Sequence, residues 1–134
     1  MKVTSLVPSV SILVIAAFFF IGGVAHFVFT DVFVRIMPNY LGYQKELVLI
    51  SGVFELLGAI GILFPSTRLL AGYGLIVLII AVFPANININ INMAIHHQDY
   101  KSIPELLLWL RLPLQFFFVW FVWQSIKSIK SRTS

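Results

Sequence analysis

The chain has 134 residues, 60% hydrophobic and only 10% charged, with a formal net charge of +4 and no cysteine. That is a single-domain length, and its apolar excess, against about 25% charged residues in ordinary soluble domains, suits lipid better than water as solvent. The missing cysteines exclude disulfides, thiolate metal sites and dithiol redox chemistry, and the scattered basic residues form no stripe that would bind nucleic acid.

Four apolar stretches predict four transmembrane helices, since a bilayer core of about 30 Å takes around 20 helical residues. The first spans about residues 7–29, with His26 as its one titratable side chain. A signal peptide cleaved near Gly23-Val24-Ala25 is the rival for this segment, but the apolar stretch is too long for one. Asp31 to Glu46 reads as a connection holding Pro38-Asn39-Tyr40 and Gly42. The second span covers about 47–64 and is interrupted by Glu55. In Pro65-Ser66-Thr67-Arg68, Pro stops one helix and Ser or Thr caps the next.

The third span starts at residue 69 and is expected to continue past Pro84 to about 94. Its end carries an Ile-Asn alternation from Asn86 to Asn92, which as a strand would put Ile on one face and Asn on the other. A lone strand at a membrane edge has no partner, so a helical or irregular extension is expected. His96 and His97 fall on the following polar loop; adjacent imidazoles on a helix point about 100° apart, and no further ligand is near, so no metal is expected. Pro104 suits the first turn of a fourth helix, about 105–125, interrupted by Arg111, Pro113 and Gln115.

Basic residues set the expected orientation. One side of the four-span arrangement holds Lys2, Arg68, Lys127, Lys130 and Arg132 and no acid. The other holds Arg35, Lys45 and Lys101 among Asp31, Glu46, Asp99 and Glu105. The first side is the cytoplasmic one by the positive-inside rule, so both termini are expected there. Trp120 and Trp123 fall at the cytoplasmic end of the last span, where aromatic belts lie.

Polar residues inside the spans carry the functional expectation. Glu55 lies roughly 13 Å into the second helix from Glu46 at about 1.5 Å per residue. A carboxylate at that depth should face the bundle, paired or protonated. Ser51, Gly52, Gly58 and Ala59 fall within about 60° of it on the helix, and such small residues let helices approach closely. Arg111 sits about 10 Å into the fourth helix from Pro104 and needs an acceptor. Glu55, the one acid inside a span, is its expected partner, with Gln115 one turn further on the same face. Pro113 removes a backbone donor and should kink the helix. His26, flanked by Gly22 and Gly23, and Asn86 lie near the outer ends of their helices. Together these residues predict one polar pocket, open or nearly open to the outside. For each, a purely structural role as ion pair or interhelical glue competes with ligand binding.

Five motifs in this order, Gly22-Gly23-x-x-His26-Phe27, Ser51-Gly52-x-x-Glu55-x-x-Gly58, Pro65-x-Thr67-Arg68-x-x-Ala71-Gly72, Val82-Phe83-Pro84-Ala85-Asn86 and Arg111-Leu112-Pro113-Leu114-Gln115, resemble the DoxX-like family. The resemblance covers all four spans. It implies a small four-helix membrane protein whose polar positions match His26, Glu55, Asn86, Arg111 and Gln115, with some relatives linked to quinone-dependent oxidation and others to complex assembly. The inserted Ile-Asn residues before Met93-Ala94 allow Asn90, one helical turn on, to take the position of Asn86.

The expected fold is therefore all-α, a four-transmembrane-helix bundle in a cell membrane, with the bacterial inner membrane as the expected setting. The expected role is a non-catalytic assembly or accessory subunit of a membrane complex with a polar intramembrane pocket, its partners the lipid bilayer and a membrane protein or further copies of itself. A quinone- or lipid-binding subunit of an oxidoreductase is the first alternative, with quinone as cofactor. In that case Phe and Leu walls take the ring and tail, and Arg111, Gln115 and His26 meet the polar head. Proton or small-solute transport through Glu55 and His26 is the second.

Overall fold

The computed structural model describes residues 9–37, 40–84, 87 and 105–133, with residues 36, 105–108, 111 and 128–133 described as backbone only. Its elements are α1 (Val10–Val28), α2 (Thr30–Ile36), α3 (Gln44–Gly61), α4 (Arg68–Ala81) and α5 (Glu105–Thr133). Among the described residues there is no strand, so the chain is all-α as expected. Phe83, Pro84 and Ile87 are also helical, and the rest of the extension expected through residue 94 lies outside the described residues.

Two boundaries differ from the sequence expectation. Residues 30–36, read as connection, form α2. The break before it falls at Phe29, whose φ of −114° and ψ of 38° leave the helical range. Thr30 supports that break by donating its hydroxyl to the carbonyls of His26 (2.8 Å) and Phe27 (3.0 Å), which lose their helical donors at a C-terminus. At the other end of the chain, α5 runs on to Thr133 rather than ending near 125, with Pro113 inside it.

The long helices pack antiparallel in chain order: α1 along α3, α3 on α4, and α4 on α5, while α1 and α5 touch lightly. α2 lies mainly on α3. Ile12, Ile15, Ala16 and Phe19 of α1 form the core with Ala59, Ile62, Leu75, Ile79 and Val122 from the other helices. Two glycines set how closely α1 and α3 approach. A Cβ on Gly23 would sit 3.1 Å from the Gly52 carbonyl oxygen, and one on Gly52 would sit 3.2 Å from the Gly23 carbonyl oxygen. Backbone meets backbone there, the use of small residues expected between membrane helices.

The turn between α3 and α4 corrects one expectation. Thr67 does not cap α4 through its side chain. Its hydroxyl instead donates to the Gly61 carbonyl at 2.6 Å. Arg68 turns inward, only 7% exposed, with Nε donating to the Ile62 carbonyl (2.8 Å) and Nη2 to that of Leu63 (2.9 Å). Both residues therefore satisfy the orphan carbonyls that end α3, where spacing alone assigned Arg68 to topology. Replacing Arg68 with alanine is expected to cost about 2–3 kcal/mol, the range for hydrogen bonds from a charged group. Arg68→Lys should recover less than half, because an ammonium lacks the planar fork that spans two carbonyls. Thermal unfolding reads both; equal melting of the lysine variant and the parent would contradict the fork.

Among the described residues, one helix, Val10–Val28, is long and apolar enough by length and composition to cross a membrane. Arg68–Ala81 is apolar but has 14 residues, about 21 Å at roughly 1.5 Å per residue. α3 carries Lys45, Glu46 and Glu55 within its 18 residues.

Candidate functional site

His26 and Glu55 meet between α1 and α3, as the last turn of α1 places the imidazole against the first half of α3. His26 Nδ1 lies 2.9 Å from the Val48 carbonyl oxygen. A carbonyl can only accept, so Nδ1 carries the hydrogen. The other ring nitrogen, Nε2, lies 3.5 Å from Oε1 of Glu55. In the neutral ring that nitrogen is a bare lone pair, and opposite a carboxylate it would be repelled. One proton therefore belongs between them, on Glu55 beside a neutral ring or on the ring beside a carboxylate. The separation exceeds that of a well-formed N–H···O bond, so the pair is in contact without a tight bond.

Small residues make room for this contact. A Cβ on Gly22 would lie 2.8 Å from Glu55 Oε2, and one on Gly52 would lie 2.7 Å from the His26 Cβ. From α2, the Phe33 ring stacks on the imidazole at 4.2 Å between centroids and 25° between planes. The His26 and Glu55 side chains are left 11% and 14% exposed. The sequence expectation was a pocket open or nearly open to the outside; on the His26 side, α2 covers it with an aromatic ring. Nothing in the connecting segment's composition marked Phe33 for that role.

The remaining predicted site residues divide. Gln115 is buried at 8% exposure on α5, and its Nε2 donates to the Ile79 carbonyl, in the last turn of α4 where intrahelical donors run out. It joins α4 to α5. Its level in the bundle follows from Phe118, three residues further along α5, which stacks on Phe18 of α1 at 4.2 Å. The Arg111 side chain and Asn86, with its alternative Asn90, lie outside the described residues, as do His96 and His97. Charge pairs Glu55 with Arg111 in the sequence; among the described residues Glu55 meets His26. The structure thus brings together two of the five, and holds a third by a separate interhelical bond.

A family model described as "Domain of unknown function (DUF8561)" matches residues 15–126. The chain belongs to that family. No curated protein and no solved structure matches it. The DoxX-like resemblance is overturned by this assignment, which comes with no DoxX match. Its five motifs are short runs of Gly, Pro and one polar residue. Closely packed apolar helices need such runs wherever backbones approach or helices end, so they do not distinguish one small bundle family from another. The DUF8561 match begins within α1 and ends within α5, so it takes in His26, Glu55 and Gln115.

Proposed function

We propose that this DUF8561 protein is a four-span membrane protein, with α1, α3, α4 and α5 crossing the bilayer, and that it serves as a non-catalytic assembly or accessory subunit of a membrane complex. The observation that carries the reading is the contrast between its apolar outside and the enclosed His26–Glu55 contact. Large apolar side chains face outward on every long helix: Phe20 and Ile21 on α1, Phe54 and Leu57 on α3, Leu70 and Val77 on α4, Phe116 and Phe117 on α5. Exposed apolar surface on that scale marks contact with lipid or with another protein. The His26–Glu55 pair, by contrast, is enclosed by Gly22, Gly52 and Phe33. An enclosed pair tied to a neighbouring backbone sets helix register, the best-attested use of buried polar groups.

The absence of native cysteine permits a direct test by single-cysteine labelling. Tyr40, between α2 and α3, and Ser66, between α3 and α4, are both exposed. In intact cells an impermeant maleimide is expected to label Tyr40→Cys, and to label Ser66→Cys only after the membrane is opened. Labelling of both from the same side would remove the multi-pass arrangement. Protein that stays in carbonate-washed membranes and co-purifies with one partner at fixed ratio supports the accessory role. Purification without a partner but with quinone bound would replace it with the quinone-binding alternative.

A further inference from the structure

Far from the His26–Glu55 contact, α4 and α5 part to leave a groove of about 190 Å³ lined by Leu69, Tyr73, Trp123, Ile126 and Lys127. Its walls grade from polar to apolar. Leu69 lies in the first turn of α4 and Lys127 is exposed on α5, so these two sit toward the α3–α4 end of the bundle. Tyr73 and Trp123 lie about one turn inward, their rings edge-on at 6.1 Å and 62°. Ile126 forms part of the floor, packed over Gly72.

Charge at this end is one-sided. Arg68, Lys127, Lys130 and Arg132 fall here on the backbone, and no acid lies within 66–74 or 116–134. The Arg68 guanidinium is committed to the Ile62 and Leu63 carbonyls, so among the described side chains Lys127 is the cation that faces the groove. A cation at the mouth, two aromatic rings at interfacial depth and an aliphatic floor complement a molecule with an anionic head and a hydrocarbon tail.

We propose that this groove binds an anionic phospholipid of the cytoplasmic leaflet, its phosphate at Lys127 and the start of one acyl chain between Leu69, Tyr73, Trp123 and Ile126. The proposal rests on the multi-pass reading above, which places this end of the bundle at the cytoplasmic surface.

Native mass spectrometry of the purified chain, with phosphatidylglycerol or phosphatidylcholine added to the micelles, tests it. The parent is expected to retain phosphatidylglycerol in preference to phosphatidylcholine. Lys127→Gln should reduce that preference about fivefold, the effect of one basic side chain near an anionic surface. Leu69→Trp, which fills the groove and leaves the charge intact, should reduce phosphatidylglycerol retention as well. Equal retention of the two lipids by the parent overturns the proposal. So does a Leu69→Trp variant that retains phosphatidylglycerol like the parent, since lipid would then be held by surface charge alone. Extraction of the parent from membranes by carbonate would sink the multi-pass reading itself, whereas a parent that resists carbonate and shows no lipid preference sinks the groove alone.

Discussion

Substituting His26 by alanine is expected to destabilise the protein by about 3 kcal/mol, because one change removes three contacts that no neighbour can replace. The Nδ1 bond to the Val48 carbonyl ties α1 to α3. The Nε2 contact holds the Glu55 carboxyl, and the ring face supports Phe33 of α2. Removing Phe33 alone takes away one of the three, a stacked ring pair worth about 1 kcal/mol apart from the area it buries. Thermal unfolding in micelles separates the two. A His26→Ala protein that melts with the parent would mean the contact has no hold on the α1–α3 crossing. If His26→Ala instead loses no more than Phe33→Ala, the stacking rather than the polar contact is what matters.

Gly52→Leu should be comparably severe for a different reason. A Cβ at that position would stand 2.7 Å from the His26 Cβ, 3.0 Å from the Phe27 ring and 3.2 Å from the Gly23 carbonyl. The last of these is backbone and cannot rotate away, so α1 and α3 must separate and the His26–Glu55 contact opens with them. Overpacking costs about 1–3 kcal/mol even where the core adjusts, and here loss of the polar contact adds to it. Gly74 is the control, since nothing lies within 4 Å of a Cβ added there. Gly74→Ala should be neutral or slightly stabilising by helix propensity. If both variants melt together, close backbone approach is not what Gly52 provides.

The two sites show what could be read from sequence and where reading stopped. The arc of small residues around Glu55 was legible, because helical period alone places Gly52 and Gly58 near its face. In the structure Gly52 meets α1 and Gly58 meets Leu75 of α4. Which helix would supply the partner of Glu55 was not legible. Period gives a residue's face but not the neighbour across from it, so the sequence offers charge alone, which points to Arg111. An imidazole counted as neutral carries no such signal, yet among the described side chains His26 is the one that meets Glu55, the Arg111 side chain lying outside them. The turn at 62–67 failed for a similar reason. Thr67 precedes α4 and Arg68 opens it, so local rules assign Thr67 forward as a cap and Arg68 to topology, whereas their hydrogen bonds run backward to the end of α3. Only the three-dimensional path of the turn reveals that direction. α2 was hidden because seven residues with Asp31 and Arg35 among them form a helix through packing on α3 rather than through any apolar stripe long enough to register.

The shared proton at His26 has an electrical consequence. With the hydrogen on Glu55 both side chains are neutral, and with it on the ring they are +1 and −1, so the two together sum to zero either way. A transmembrane voltage does work only on net charge that moves, about 2.3 kcal/mol per elementary charge per 100 mV. Embedded as proposed, the junction of α1 and α3 would therefore stay put as a cell's resting potential rises or collapses. The field could bias only which side of the 3.5 Å gap between Nε2 and Oε1 holds the hydrogen.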